Sequence, residues 1–243
     1  MSPTPAIAVR SLSHTYRSTQ ADRAVLRSVD LRVEPGQLVA LTGASGSGKT
    51  TLLTICGALR SPQEGEVHVL GTSLFGLGEE QRRGLRGEIG FIFQGHHLID
   101  ALTAGQNVVM SLLGRVPPGD ATRRAARALD LLGLADRIDD LPDQLSGGEK
   151  QRVAVARALV RTPRLVLADE PSASLDDTST AAVVDAIRTF VDHGEAAALI
   201  ATHDARVVAR ADRILHLHAG VLSEGAVPTS SNSPLFPSAG RLP

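Results

Sequence analysis

The chain has 243 residues, 42% of them hydrophobic, enough for one aliphatic core with lobes rather than several domains; aromatic residues contribute only 2%. A net charge of −1 without a basic block argues against a nucleic-acid groove, which needs concentrated positive charge. No apolar run approaches the roughly 20 residues of a membrane-spanning helix and no secretory signal opens the sequence, so a membrane role is expected to need a partner. The single cysteine, Cys56, fits a reduced compartment and a small buried apolar role.

Residues 1–42 read as short strands. Ile7-Ala8-Val9, Val25-Leu26-Arg27-Ser28-Val29 and Leu31-Arg32-Val33 alternate in part, and Glu34-Pro35-Gly36-Gln37 is a turn. Tyr16, the one tyrosine, is either an exposed ring able to stack on a base or a packing residue at a strand edge. The run Leu38-Val39-Ala40-Leu41 then enters Gly43-Ala44-Ser45-Gly46-Ser47-Gly48-Lys49-Thr50-Thr51, and a helix is expected from about Lys49 to Leu59. A strand, a glycine-rich stretch and a helix are the setting of a phosphate-binding loop. Its glycines let successive N–H groups turn inward on an anion, and the helix adds its positive end. Lys49 is placed to reach terminal phosphates and the Thr50 hydroxyl to bind Mg²⁺. A flexible linker is the alternative, but linkers do not usually lie between two apolar segments with a lysine at this position. Of 25 Lys and Arg residues only Lys49 and Lys150 are lysines. A compact ammonium fits a tight phosphate cradle where a planar guanidinium does not.

Glu66–Leu70 reads as a strand, 79–87 as a short Arg-rich helix, and Ile89–Phe93 as a strand ending at Gln94. The carboxyl end of a buried strand is where α/β sheets bind ligands. Gln94 is thus a ligand for Mg²⁺ or a holder of the attacking water, unless it is a plain surface residue. Strand patterns stop over 95–162. Residues 104–113 look helical, Pro117-Pro118-Gly119 breaks the chain, and 120–133 is helical. Ser146, Gly147 and Gly148 precede an apolar helix from Val153 to Val160 and offer a second anion site, or else a serine cap. One nucleotide rarely needs two such sites, so the economical inference is that this one meets a nucleotide held by another copy.

Leu165–Asp169 reads as a buried strand followed by Glu170. Alternation is expected to put the two carboxylates on opposite sides, Asp169 toward a metal shell and Glu170 toward the attacking water as general base. An acidic helix cap is the alternative. Ser174-Leu175-Asp176 opens a helix to about Asp192. The strand Ala197–Ala201 leads to His203 at the same edge, where it contacts a γ-phosphate or is one bystander among eight histidines. Residues 213–225 read as a closing hairpin and 227–243, rich in Pro and Ser, as a disordered tail.

In combination these motifs resemble the ATP-binding cassette (ABC) ATPases over about residues 5–226. The Walker A loop is Gly43 to Thr51, the Q-loop residue Gln94, the signature Leu145 to Gln151, and Walker B Leu165 to Asp169 followed by Glu170. The D-loop is Ser174-Leu175-Asp176 and the switch histidine His203. Tyr16 matches the aromatic that stacks on adenine in that family. Ser172 stands where threonine is commoner and Ala44 where proline is, neither expected to cost function. The resemblance implies an α/β fold. Its P-loop NTPase (RecA-like) core has a parallel sheet, joined by an N-terminal antiparallel β subdomain and an inserted α-helical subdomain at about 95–162. It implies ATP and Mg²⁺, the metal held by Thr50, Gln94 and Asp169, and catalysis by Glu170, His203, Lys49 and Gln94. Two copies would sandwich two ATP head to tail, with Ser146, Gly147, Gly148 and Glu149 acting across the dimer. A membrane permease would be driven from the cytoplasmic face, with no nucleic acid bound. Phe91–Leu98 and Leu102–Val108 look like the compact ATPases of the macrolide-exporter, lipoprotein-release and heterocyst glycolipid-exporter group. That group implies an export role of the mechanotransmission type. A small-solute importer shares every motif, and a soluble non-transport cassette protein is the third reading.

Overall fold

The computed structural model describes residues 4–17, 21–173, 175–193 and 196–225. Ser174 and the 227–243 tail lie outside them. Two sheets carry the fold. The first is antiparallel, in the order β2-β1-β4-β5, from β1 (Ile7–Tyr16), β2 (Arg23–Val33), β4 (Glu64–Val69) and β5 (Thr72–Ser73), with β3 (Leu38–Thr42) passing to the second. The second runs β10-β9-β3-β8-β7-β6, using β6 (Ile89–Ile92), β7 (Leu165–Asp169), β8 (Ala197–Ala201), β9 (Arg213–His218) and β10 (Val221–Glu224). All its pairings are parallel except the terminal β9–β10 hairpin.

The period of two divides the central strands between two cores. Leu165, Leu167, Ala197, Leu199, Val39 and Leu41 face the antiparallel sheet and α1 (Lys49–Cys56). Val166, Ala168, Ala198, Ile200 and Leu38 face the helices on the other side. Those helices include α3 (Ala104–Val109), α4 (Pro118–Asp130), α5 (Gly147–Leu159) and α6 (Asp177–Asp192); the short α7 (Ala205–Val208) adds Val207 to the same core, and α2 (Glu79–Arg86) adds Leu85 to the other. Cys56 is fully buried and its thiol is pushed up to about 12 by that burial, so it packs and does not react.

Several boundaries differ from the sequence reading. Val25–Val29 and Leu31–Val33 are one strand, interrupted in pattern by irregular register against β1. Ser11 and Ser28 there take φ of 49° and 48°, as at β-bulges, which breaks strict alternation. The Pro117-Pro118 pair does not break the helix but begins it, since Pro118 stands in the first turn where its missing N–H costs nothing. α5 starts at Gly147, well before Val153, and α1 stops at Cys56 rather than Leu59.

The helical lobe is pinned by Asn107, which is 1% exposed. Its Oδ1 accepts from Ile99 N at 2.8 Å, and its Nδ2 donates to the carbonyls of Ile99, Leu102 and Thr103 at 2.9–3.1 Å. Asn107→Leu strands these groups without partners, and denaturant titration is expected to show a loss of about 2–4 kcal/mol; a loss below about 0.5 kcal/mol would contradict this anchoring role. Asp204 caps α7, accepting from Arg206 N and Nε at 2.9 Å each and from Nη2 at 2.7 Å. The Arg206 side chain is the main cause that holds its carboxyl down to about 2, against the opposing effect of burial. A depressed carboxylate contributes stability above its unfolded value near 4, lost as pH falls through about 2. Thermal melts at low pH should therefore show a shallower acid loss in Asp204→Asn than in the parent; parallel curves would remove Asp204 from the account.

Candidate functional site

The parallel sheet delivers four segments to one edge. β3 ends in the glycine-rich loop, β6 is followed by Gln94, β7 by Glu170 and β8 by His203. A cleft of about 570 Å³ opens there, in the size range of small-molecule sites. Gly43–Gly46, Gly48–Thr51, Tyr16, Gln94, Asp169, Glu170 and His203 all line it. Of the predicted loop residues only Ser47 is absent from its wall, its buried Oγ having no partner among the described residues.

The loop geometry needs glycine. Gly43 has φ of 146°, and a Cβ there would meet the Leu217 carbonyl oxygen at 2.2 Å. Gly48 begins α1 at φ 112°, with the Val25 carbonyl oxygen 2.8 Å from where a Cβ would stand. Lys49, 8% exposed, donates from Nζ to Gly43 O at 2.7 Å and lies 3.7 Å from Glu170 Oε1. The Thr50 hydroxyl donates to Asp169 Oδ2 at 2.6 Å, tying the loop to the end of β7. Burial raises the Asp169 pKa, with Glu170 adding to the rise, while Thr50 and Lys49 oppose it.

Asp169 and Glu170 do not part to opposite sides. The strand ends at Asp169, and Glu170 takes φ of 48°, so period-two alternation fails at this step and both carboxylates line the cleft. His203 Nδ1 lies 2.9 Å from Glu170 Oε2, within ion-pair reach but out of line for a hydrogen bond. The imidazole is otherwise solvent-facing, 77% exposed.

At the other end, Tyr16 shares a 3.1 Å hydrogen bond with Thr51 Oγ1 and is 37% exposed. The Arg60 guanidinium sits 4.9 Å from its ring centroid and His14 meets it edge-on at 5.2 Å. Sequence reasoning missed Arg23 and Val25, which also line the cleft. Arg23 donates to Gly46 O at 3.2 Å. They arrive through β2, and no local motif announces them; only the pairing of β2 with β1, Tyr16 opposite Arg23, brings them beside the ring.

Ser146, Gly147, Gly148, Glu149 and Asp176 do not line the cleft. Ser146 caps α5, accepting from Glu149 N at 3.3 Å, while its own N–H donates to Glu149 Oε2 at 2.8 Å. The Ser146 backbone N–H first, and then its hydroxyl, hold the Glu149 carboxyl below its usual range. Asp176 caps α6 by accepting from Ser179 N at 2.7 Å. The two helix starts are neighbours: Arg152 of α5 donates to Ser179 Oγ at 2.8 Å, and a Cβ on Gly148 would meet that oxygen at 2.7 Å. The signature and Asp176 thus form a second, exposed polar surface.

Comparison with known proteins agrees with this arrangement. Residues 26–173 match the family model described as ABC transporter. The lipoprotein-releasing system ATP-binding protein LolD of Novosphingobium aromaticivorans is 43% identical over 220 residues, covering 90% of this chain and 98% of that protein. The pyoverdine export ATP-binding/permease protein PvdT of Pseudomonas syringae pv. tomato is 42% identical, covering 94% of this chain and 36% of that longer one. A dimeric ATP-binding cassette, MJ0796, in a post-hydrolysis state with ADP and Pi, superposes with a TM-score of 0.85 at 31% identity, covering 92% of this chain and 99% of that one. The antiparallel sheet, the parallel core and the helical lobe are those of such cassettes. The chain belongs to the ABC transporter family, as an ATPase cassette that binds ATP and couples its hydrolysis to transport.

Proposed function

We propose that the chain is the ATP-hydrolysing subunit of an export system, working as a head-to-tail pair beneath a membrane partner. One observation carries the reading. The cleft and the Ser146–Asp176 surface are separate on one molecule, so a second copy is needed to set one against the other. The dimeric cassettes it resembles support this arrangement. The lipoprotein-releasing and pyoverdine-export relatives support a release or export role; mechanotransmission to the partner is our reading of how that role is driven. Among the described residues no helix is long and apolar enough to cross a membrane. A membrane subunit would therefore hold the chain at the cytoplasmic face. We take 5–226 as the ATPase domain, with the helical lobe at about 95–162.

The roles follow from chemistry at the cleft. Tyr16 offers a ring for adenine, beside Arg23 and Val25. The N–H groups of Gly43–Thr51 and the Lys49 ammonium would grip the phosphates. Thr50 and Asp169, already joined, and Gln94 fit a Mg²⁺ held mostly by substrate oxygens, since hydroxyl, carboxylate and amide are hard oxygen donors. When bound, that ion would neutralise phosphate charge. Glu170 takes the proton from a water whose oxygen adds to the γ-phosphorus. The bond to the bridging oxygen breaks, and ADP and phosphate result. His203 is within reach of the same carboxylate and orients it. Across the dimer, Ser146, Gly147, Gly148 and Glu149 close the site and Asp176 lies beside them.

Two variants test this. Glu170→Gln should keep ATP binding and lower turnover by roughly 10²–10⁴; hydrolysis near the parent rate would rule the base out. Ser146→Arg should abolish ATP-driven dimerisation, read by light scattering, while monomers still bind nucleotide. Undiminished dimers would sink the two-copy site.

A further inference from the structure

Arg23 opens β2 directly opposite Tyr16 of β1, and its Nη2 donates to Gly46 O of the glycine-rich loop at 3.2 Å. Tyr16, Gly46 and Arg23 all line the cleft, as does Val25, two residues on and so on the same face of β2. The Arg23 side chain thus spans the stretch from the aromatic ring to the loop. It is exposed. The carboxylates of the cleft are engaged elsewhere: Glu170 lies against Lys49 and His203, and Asp169 accepts from Thr50. Among the described residues, Lys49 and Arg23 are the permanent cations of the cleft wall. A second arginine, Arg60, stands 4.9 Å from the Tyr16 ring centroid but does not line the cleft. Arg60 backs the ring, and Arg23 is the guanidinium on the ligand side.

A nucleotide with its base on Tyr16 and its terminal phosphates at Lys49 has two ends fixed. Its ribose and α-phosphate must bridge them, along the line that Arg23 already covers. The Gly46 carbonyl uses only part of the guanidinium's set of N–H donors and leaves the rest for a ligand. A guanidinium meets a phosphate in parallel, charge-assisted bonds that ribose hydroxyls do not match. We propose that Arg23 is a binding residue for the α-phosphate of the nucleotide, holding it between the ring and the loop. The inference rests on the reading of this cleft as the ATP site. It adds a contact that no motif carries, since Arg23 lies outside the glycine-rich loop and reaches it only through strand pairing. ATP and ADP share that phosphate, so the contact binds substrate and product alike and takes no part in the chemical step.

The full chain is titrated by calorimetry in EDTA, which removes Mg²⁺ and with it hydrolysis. ATP and ADP binding are read directly, and AMP binding by its displacement of ADP. Arg23→Ala should weaken all three by the same factor, roughly tenfold, with the nucleotide-free melting temperature unchanged. Arg23→Lys, which keeps a cation, should recover most of the loss. AMP separates contact from support: it has no β- or γ-phosphate for the loop to hold, so a side chain that only braces Gly46 would spare it. A loss for ATP and ADP but not for AMP therefore overturns the α-phosphate contact. A loss confined to ATP does the same, by moving the guanidinium to the γ-phosphate. With 2′,3′-dideoxy-ATP the same loss should persist; its disappearance would assign Arg23 to the ribose hydroxyls and overturn the proposal. Variant affinities equal to the parent's overturn it too and leave the ATP cleft standing. A parent chain that binds none of these nucleotides overturns both readings.

Discussion

Leu41, Ala201 and Asp169 stand in one row across three parallel strands, and the placement of the site depends on that row. Beyond it the hydrogen bonding continues: Thr202 N donates to Leu41 O at 3.0 Å and Glu170 N to Ala201 O at 2.8 Å. Because the strands run the same way, each releases its next residues at the same edge. Reversing β8 would carry His203 to the opposite edge, away from Glu170. The row is hard to shift. A one-residue slip of β7 would turn Leu165 and Leu167 toward the helices and Val166 and Ala168 toward the antiparallel sheet. Apolar burial far from the chemistry therefore sets its register.

Charge at that edge is arranged on the same frame. One buried ammonium, Lys49, faces two carboxylates, of which Asp169 is raised by burial and by its neighbour Glu170. Two close acids beside one base leave an excess of negative charge in a partly desolvated cleft. A divalent cation arriving with a polyphosphate would offset it without importing a further basic side chain. The Thr50–Asp169 hydrogen bond holds those two oxygen donors together meanwhile.

Motifs whose chemistry dictates their backbone were legible in the sequence. Gly43, Gly48 and Lys49 could be placed because a loop that folds its N–H groups inward tolerates few alternatives, and the buried strands β7 and β8 because short apolar runs end there in polar residues. The order of elements and the terminal hairpin followed in the same way. Features set by long-range pairing were not legible. The bulged union of β2, the arrival of Arg23 beside Tyr16 and the turn that swings Glu170 into the cleft depend on partners far along the chain. Pro118 defeats a local reading because a proline that ends one helix and a proline that begins the next look alike without knowing which neighbours pack. Ser146 was visible as a possible helix cap and Asp176 as the opening of a helix, but their adjacency through Arg152 and Ser179 is a tertiary fact.

That adjacency extends along α5 to the segment after Gln94. The helix begins at Ser146, and its Gln151 Oε1 lies 2.5 Å from His96 Nδ1; Arg157, two turns on, grips the carbonyls of His96 and His97. His96 and His97 both take positive φ, 59° and 49°, so the stretch after Gln94 is held in a conformation such residues seldom choose. One helix thus spans the surface proposed to meet a second copy and the loop that carries Gln94. Removing the Arg157 bonds to the His96 and His97 carbonyls would free the segment that places Gln94 at the cleft. The placement of Gln94 and that of Ser146 thus depend on one and the same helix.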